Sequence, residues 1–348
     1  MTECSNHTGG DPHGEDEDSY ALQIQVTMTC VYSLITICGI LGNVLTCVVI
    51  ASNRIMYTAT NYYLFNMAVS DLLLLVMGMP HEMQILWSPC PYVLGGVFCV
   101  ARGLAAETST NTSVLTIASF TVERYIGICH PIRSHTLARL SRVMKIIAML
   151  WVVGCLGAVP QAIQYGIEDG ECKVVNAINY TFEVSTFLFF VTPMTLITVV
   201  YVKIGLELYG GQRPRASHRG SLSHSSSAAL DRSRSRGVIK MLVAVVVAFF
   251  VCFAPHHAQR LLAFYGDSSN HVQVIVYKFL THISGVFFYM STCINPILYH
   301  IMSKRFRQAF KETMRRCCGY GRSQLQYQLS VGEHSKPTTA TLLDDARV

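Results

Sequence analysis

The sequence predicts an all-α membrane protein, a bundle of seven transmembrane helices followed by a short amphipathic eighth helix. Hydrophobic residues make up 51% of the 348 residues and charged residues only 14%, against about 25% in an average soluble domain. Five long stretches carry no charged side chain, and the basic residues gather in alternate loops. This composition excludes a disordered chain, a basic nucleic-acid-binding domain and most soluble enzymes.

Seven segments meet the requirement of about 20 mostly apolar residues for a helix that crosses the bilayer. Spans one, four, five, six and seven each contain a long charge-free stretch, whereas spans two and three contain interior charges such as Asp71, Glu82 and Glu107. The predicted spans are residues 24–51, 62–86, 97–128, 143–164, 184–208, 237–264 and 272–302.

The segments outside the spans also have predicted places. Residues 1–23 form an extracellular tail, and residues 317–348 form a cytoplasmic tail. Residues 303–316 form an amphipathic helix on the inner leaflet, because two phenylalanines lie four residues apart among basic side chains. Cys317 and Cys318 follow this helix directly and are palmitoylation candidates.

The basic residues set the expected orientation in the plasma membrane. Loops that face the cytoplasm carry an excess of Lys and Arg. Here the excess lies after spans one, three, five and seven, and the first 53 residues contain neither Lys nor Arg. The amino terminus is therefore predicted to be extracellular and the carboxyl terminus cytoplasmic, which requires an odd number of spans.

The predicted outer side contains glycosylation sequons and cysteines that can form disulfides. Asn6 and Asn179 begin glycosylation sequons. Four cysteines are expected on this side: Cys4, Cys90, Cys99 and Cys172. Four cysteines in an oxidising compartment allow three pairings. We favour Cys99–Cys172, which would tie the top of span three to the second outer loop, with Cys4–Cys90 as a second bridge; unpaired thiols are the alternative.

Polar groups deep in the spans indicate a function, because ionisable residues inside a membrane are costly. Asp71 lies in the middle of span two, and Asn43, Ser113 and Asn295 lie at similar depths in spans one, three and seven. Together they are expected to surround a sodium ion or to hold a proton on Asp71. The alternative is a neutral Asp71 that serves packing alone. No other metal site is expected.

Short motifs occur in order, one to a span. They include Gly42-Asn43, Glu123-Arg124-Tyr125, Trp151, Cys252-Phe-Ala-Pro255 and Asn295-Pro296-Ile-Leu-Tyr299. With them the chain resembles the rhodopsin-like G-protein-coupled receptors over roughly residues 24 to 316. The resemblance implies that Arg124 meets a heterotrimeric G protein and that Tyr201 and Tyr299 hold the active state. It assigns Ile132, in the loop after span three, to the same coupling surface.

A second set of motifs indicates a subgroup within the rhodopsin-like receptors. Met79-Pro-His-Glu-Met83, Trp87-Ser-Pro-Cys-Pro-Tyr92 and Ala106-Glu-Thr-Ser109 look like the neuromedin U receptors and their invertebrate relatives, the pyrokinin and CAPA receptors. That resemblance implies an amidated neuropeptide ligand ending in Pro-Arg-x-amide. It also implies a calcium-mobilising G protein of the q class, with arrestin and receptor kinases as further partners.

Two acids are implied as the receivers of the peptide arginine. Glu82 lies about 16 Å outward from Asp71 along a helix, and Glu107 about 25 Å outward from Arg124, so both reach the outer third of the membrane. The alternative is internal pairing of these acids with basic residues of the chain: Arg102, Arg260 or Lys278. The resemblance places Arg260 at the peptide's C-terminal end. Other expected pocket residues are Phe253, His256, His257 and Tyr289.

Alternative functions remain at this point. A transporter would show internal repeats and paired broken helices, which the sequence lacks. An intramembrane enzyme would need a nucleophile and base or a metal motif at depth, and none is visible. A receptor for a different peptide is the nearest alternative. The chain is expected to be no enzyme and to bind no nucleic acid.

One expected contact is missing at the inner end of span six. Many rhodopsin-like receptors hold the arginine that corresponds to Arg124 through an acid there, but the matching position is Ser235, between Arg234 and Arg236. The resting state is therefore expected to depend on Glu123 and on apolar packing.

Overall fold

Long helices make up most of the described chain. The computed structural model describes residues 14–88, 90–130, 140–210, 225–267, 269–302 and 304–317. The helices are α1 (Gly14–Ser52), α2 (Ala59–Trp87), α3 (Gly96–Cys129), α4 (Leu140–Ala162), α6 (Ser225–Tyr265), α7 (His271–Met302) and α8 (Lys304–Cys317). Thr181–Thr186, the π-helical Phe187–Val191 and Thr192–Gly210 follow one another without a break and are together called α5.

Six of the described helices are long and apolar enough to cross a membrane. They contain the segments Ser19–Ser52, Ala59–Trp87, Leu140–Ala162, Thr181–Glu207, Val246–Tyr265 and His271–Ile301. All seven described helices of the bundle begin before the spans predicted for them, and α1 and α6 do so by 10 and 12 residues. The observed bundle of helices confirms the predicted all-α membrane fold.

The helix α3 is the seventh member of the bundle, although its composition is too polar for a helix that faces lipid. It carries Arg102, Glu107, Glu123 and Arg124, and every side chain of the run Thr108–Val114 is buried. It packs against α2, α4 and α5. Polar residues within a membrane face the interior of the bundle. The neighbouring helices therefore keep the polar face of α3 away from the hydrocarbon.

Apolar side chains occupy both the interior and the outer surface. The main core joins α1, α2, α3, α5, α6 and α7 through residues such as Met67, Leu75, Val114, Ile197 and Phe249. Large apolar side chains are also exposed on the outside of the bundle; examples are Leu41, Val152, Leu156, Phe250 and Ile297. A soluble protein would not expose so many, whereas a surface in contact with lipid requires them.

A small hairpin covers one end of the bundle, which we call the outer end. The strands β1 (Tyr165–Glu168) and β2 (Glu171–Val174) pair antiparallel around a turn at Asp169 and Gly170, both with positive φ. The structure contains the predicted Cys99–Cys172 disulfide, which joins β2 to the start of α3. The backbone N–H of Tyr92 also donates to the carbonyl of Gly170 at 2.7 Å. The hairpin is therefore fixed across the outer end of α3.

Cys90 is also disulfide-bonded. Cys4 lies outside the described residues, so the Cys4–Cys90 pairing stays a prediction.

At the opposite, inner end, α8 packs against the bundle through its apolar face. Phe306 and Ala309 are buried in a cluster with Val49, Met56 and Tyr299. Asn53 donates to the Thr313 hydroxyl at 2.8 Å, which joins α1 to α8. Four basic side chains of α8 are exposed, as the amphipathic pattern predicts: Arg305, Lys311, Arg315 and Arg316.

We expect the hairpin to lose its order when the disulfide is removed. Four residues in each strand give too little pairing for an independent hairpin. In a Cys99→Ala/Cys172→Ala double variant, the hairpin amides should exchange with solvent at least about tenfold faster in hydrogen-exchange mass spectrometry. Replacing the free Cys155 with alanine is the matched control. Unchanged exchange in the double variant would show that packing alone holds the hairpin.

Candidate functional site

The outer end of the bundle contains a cavity of about 300 Å³, here called the outer pocket. It lies between α1, α2, α3, α6 and α7 and beneath the hairpin. Five of the seven predicted ligand residues line it: Glu82, Glu107, His256, Arg260 and Tyr289. The pocket is further lined by Tyr32, Arg102, Tyr165, Gln259 and His282, among others. The structure therefore brings together residues from helices that are distant in sequence.

Glu107 and Arg260 form an internal ion pair. Arg260 Nη1 lies 2.5 Å from Glu107 Oε1, and the two side chains are only 12% and 13% exposed. Arg260 Nη2 donates to the Gln161 side-chain carbonyl, and its guanidinium carbon lies 4.5 Å from the centroid of the Phe182 ring. Of the two possibilities that the sequence left open for Glu107, the structure shows pairing with a basic residue of the chain, Arg260. Both groups are already engaged before any ligand arrives.

Glu82 has a different environment. It accepts a hydrogen bond from the Tyr289 hydroxyl at 3.1 Å, and none of the basic side chains described lies within ion-pair distance of it. A carboxylate has about four acceptor positions. The Tyr289 ring fits because Gly78 has no side chain; a β-carbon there would collide with the phenol. Glu82 thus retains acceptor capacity toward the pocket.

Phe253 and His257, the two other predicted ligand residues, do not line the outer pocket. The Phe253 ring stacks on Phe249 at 4.1 Å between centroids and lies below the pocket. His257 faces α5, where its Nδ1 lies 3.0 Å from the Thr186 hydroxyl. His256 instead stacks on Phe288 of α7. Adjacent helical residues point about 100° apart, which explains why only one of the two histidines reaches the pocket.

A smaller cavity of about 20 Å³, the inner cavity, lies in the middle of the bundle. Asp71, Ser113 and Asn295 line it, and Asn295 donates to Asp71 Oδ2 at 3.0 Å. Asn43 does not line this cavity; its amide donates to the carbonyls of Gly39 and Thr292 and so joins α1 to α7. The volume suits about one water molecule or a small ion. Carboxylate, hydroxyl and amide oxygens are ligands that hard cations prefer.

At the inner end, Arg124 is held by a group from α2. Its Nη2 donates to the Thr60 hydroxyl at 2.6 Å, and its guanidinium carbon lies 5.3 Å from the centroid of the Phe120 ring. Glu123 Oε1 is buried and accepts no hydrogen bond among the described residues. Thr60 therefore supplies part of the restraint that the sequence assigned to Glu123 and to packing.

The other residues assigned to activation lie elsewhere in the inner half. Tyr201 contacts the Thr121 hydroxyl at 3.4 Å, and Tyr299 is buried with its hydroxyl 3.2 Å from Met67 Sδ. The Tyr125 ring packs against His130. Pro296 lies within α7. Ile132 lies outside the described residues.

The predicted modification sites are only partly described. Asn179 lies in an exposed turn before α5. Cys317 is the last residue of α8, and its side chain is not described. Asn6 and Cys318 lie outside the described residues. Glycosylation and palmitoylation stay predictions.

Sequence reasoning missed the roles of Gln161, Tyr165 and Thr60. Gln161 is fully buried in α4, where it contacts Arg260 and also donates to the Ser185 hydroxyl. Its amide within an apolar helix was a visible signal. Tyr165 and Thr60 carried no such signal, because a loop tyrosine and a threonine at a helix start are ordinary residues.

The fold and the arrangement of these sites define the class of protein. The family model of the 7 transmembrane receptor (rhodopsin family) matches residues 42–299, and the chain belongs to this family. This membership confirms that the protein is a multi-pass membrane receptor and excludes the transporter alternative.

Relatives place the chain more closely. It is 43% identical to the pyrokinin-1 receptor of Drosophila melanogaster over 86% of this chain and 82% of that receptor. It is 33% identical to neuromedin-U receptor 2 of Mus musculus, over 85% and 77% of the two chains. It is 34% identical to neuromedin-U receptor 1 of Homo sapiens, over 90% and 78%. The predicted likeness to this group, and to receptors rather than enzymes, is confirmed.

We expect Thr60→Val to raise ligand-independent signalling. Valine keeps the shape of threonine but removes the acceptor for Arg124, and a partly exposed contact of this kind is worth about 1 kcal/mol. The active fraction should then rise about fivefold at matched surface expression. Thr60→Ser keeps the hydroxyl and is the matched control. Equal basal signals in the valine variant and the wild type would show that Thr60 does not restrain Arg124.

Proposed function

We propose that this receptor binds a C-terminally amidated neuropeptide of the Pro-Arg-x-amide type. We also propose that it activates a heterotrimeric G protein of the calcium-mobilising q class. The names of its relatives, pyrokinin and neuromedin-U receptors, support the ligand class. The observation that carries the proposal is Glu82, a carboxylate of the outer pocket of about 300 Å³ that forms no ion pair among the described residues. A cationic side chain is the group that this carboxylate can receive, whereas Glu107 already has Arg260 as its partner.

Glu82 is the first receiver of the peptide arginine in this proposal. Among the described residues its carboxylate accepts a hydrogen bond from the neutral Tyr289 hydroxyl and forms no ion pair, so an incoming guanidinium gains a charge-assisted, bidentate contact without displacing a contacting cation. Glu107 is paired with Arg260, and a peptide arginine could reach it only by replacing or sharing that partner. The two acids therefore have unequal roles.

Contacts below the pocket offer a route from the ligand to the inner end. His256 stacks on Phe288, which packs edge-on against Phe253, and Phe253 stacks on Phe249 beside the inner cavity. Densely packed aromatic groups shift as a unit more readily than they deform. A ligand that moves His256 would therefore displace the Phe288, Phe253 and Phe249 rings as far as the inner cavity.

The proposed orientation places the amino terminus and the outer pocket outside the cell. The inner end, with Glu123, Arg124 and Tyr125, then faces the G protein. Arrestin and receptor kinases are proposed to act at the same side, and the basic face of α8 suits the acidic inner leaflet.

A sodium ion is proposed as an allosteric ligand of the inner cavity. The chemistry of Asp71, Ser113 and Asn295 fits such an ion, whereas Asn43 is engaged with backbone carbonyls. When bound, the ion would supply a positive charge that keeps Asp71 ionised in the middle of the membrane.

A calcium-mobilisation assay tests the ligand class. Cells that express the receptor should respond to peptides ending in Pro-Arg-x-amide and respond at least about a hundredfold more weakly when citrulline replaces the arginine, because the charge is lost and the shape is kept. Equal responses to the two peptides would contradict the arginine-recognition proposal.

We expect Glu82→Gln to weaken peptide potency by more than about a hundredfold, because a lost buried ion pair costs about 3–5 kcal/mol. Glu107→Gln should have a smaller effect, since Glu107 already has a partner in the free receptor. Glu168→Gln, on the exposed hairpin, is the matched control. The measurement is competition binding, with surface expression determined in parallel. Wild-type affinity in Glu82→Gln would show that Glu82 does not bind the peptide arginine.

The sodium proposal has its own test. Replacing sodium by N-methylglucamine should raise agonist affinity about fivefold in the wild type, because an ion that binds only the resting state stabilises it. Asp71→Asn should abolish this difference. A persistent sodium effect in that variant would place the ion elsewhere.

A further inference from the structure

Arg102 is a basic group of the outer pocket with unused hydrogen-bonding capacity. Its Nε is buried and donates to no acceptor in the part of the chain that the structure describes. No carboxylate there lies within ion-pair distance of its guanidinium. A guanidinium carries five N–H donors and no acceptor. The side chain is therefore available to an acceptor that enters the pocket.

The hairpin fixes the place of this guanidinium. The Arg102 guanidinium carbon lies 4.9 Å from the centroid of the Tyr165 ring. Tyr165 is the first residue of β1 and pairs with Val174, and the Cys99–Cys172 disulfide ties β2 to α3. Stacking on a ring leaves the N–H groups in the guanidinium plane free for hydrogen bonds.

A glycine in α3 leaves the space that the Tyr165 ring occupies. Gly103 follows Arg102, and a β-carbon at Gly103 would lie 2.9 Å from Cδ2 of the Tyr165 ring. Any larger residue would push the ring away from α3 and from the guanidinium. The positive charge of Arg102 also acts on the neighbouring loop. Burial raises the pKa of Tyr92, and the charge of Arg102 opposes that rise.

The two arginines of the outer pocket differ in how many of their N–H groups remain without a partner among the described residues. Arg260 already contacts a carboxylate, an amide and an aromatic ring. Arg102 contacts a ring alone among these partners. The groups left with capacity are therefore one carboxylate, Glu82, and one guanidinium, Arg102. A ligand that satisfies both must present a cation and an acceptor oxygen.

We propose that Arg102, seated on Tyr165, is a recognition subsite for the terminal carboxamide of the peptide. The carboxamide oxygen accepts from the Arg102 guanidinium while the peptide arginine binds Glu82. This inference rests on the proposed ligand class and assigns the C-terminal end to Arg102 instead of Arg260. A carboxamide one residue beyond the arginine is close enough for both groups to occupy one pocket.

The test is a double-mutant cycle between receptor and ligand. The ligands are a Pro-Arg-x-amide peptide and the same peptide with hydrogen in place of the carboxamide. In the wild type, removing the carboxamide should weaken binding about tenfold or more. In Arg102→Gln, the amidated peptide should bind about tenfold more weakly, and removing the carboxamide should add less than about threefold. Independent, multiplying losses would overturn the subsite.

Controls separate recognition from folding. The peptide without the carboxamide does not use the subsite, so its affinity should be equal in the wild type and Arg102→Gln; a loss there would assign Arg102 a structural role and overturn the proposal. Arg102→Lys should restore part of the preference for the amidated peptide and serves as the second variant if Arg102→Gln does not reach the surface. Lys173→Gln removes an exposed charge from the hairpin and should change neither affinity.

The outcomes also distinguish the two proposals. If the wild type binds no Pro-Arg-x-amide peptide, the proposed function is wrong and the subsite falls with it. If the wild type binds the peptide but the ligand and receptor changes are independent, only the subsite is wrong.

Discussion

The enclosure of α3 is the constraint on which the rest of the structure depends. A helix that carries charges at both ends and hydroxyl groups in its middle cannot face hydrocarbon, so α2, α4 and α5 must surround it. This central position explains why each functional site uses an α3 residue: Arg102 and Glu107 at the outer pocket, Ser113 at the inner cavity and Arg124 at the inner end. The polar residues that make α3 costly in lipid are the same residues that line the two cavities and contact Thr60.

The charges in the outer pocket are balanced but unevenly distributed. Two carboxylates and two arginines line it, and one of each is neutralised by the other, in the Glu107–Arg260 pair. The remaining pair, Glu82 and Arg102, contacts a neutral phenol and an aromatic ring. Buried polar groups with unmet partners are costly in the free receptor. A ligand that supplies the complementary groups relieves that cost, and this contributes to selectivity as well as affinity.

Much of the fold follows from the sequence, but the site follows only in part. Charge-free stretches predict the spans, and counting along helices predicts that Glu82 and Glu107 lie at a similar level; both line the outer pocket, because this inference needs only the helical rise. Side-chain direction is harder: His256 and His257 differ by one residue, yet only His256 reaches the pocket. Long-range partners are harder still. The amide of Gln161 in an apolar helix signals a buried polar contact, but neither its partner Arg260 nor the contact of Arg124 with Thr60 can be assigned locally, since each joins residues far apart in sequence.

The Glu107–Arg260 pair also determines where binding free energy can come from. If a peptide arginine replaced Arg260 at Glu107, as the proposed ligand class allows, the carboxylate would exchange one guanidinium for another, so the net gain in binding free energy there would be small. The exchange has a second consequence, because the displaced Arg260 must leave Gln161 and the Phe182 ring as well. Those partners belong to α4 and to α5, whereas Arg260 belongs to α6. An exchange at Glu107 would therefore contribute little to affinity but would release α6 from its neighbours, whereas binding at Glu82 releases no such contact. Affinity and activation can then depend on different carboxylates of the same pocket.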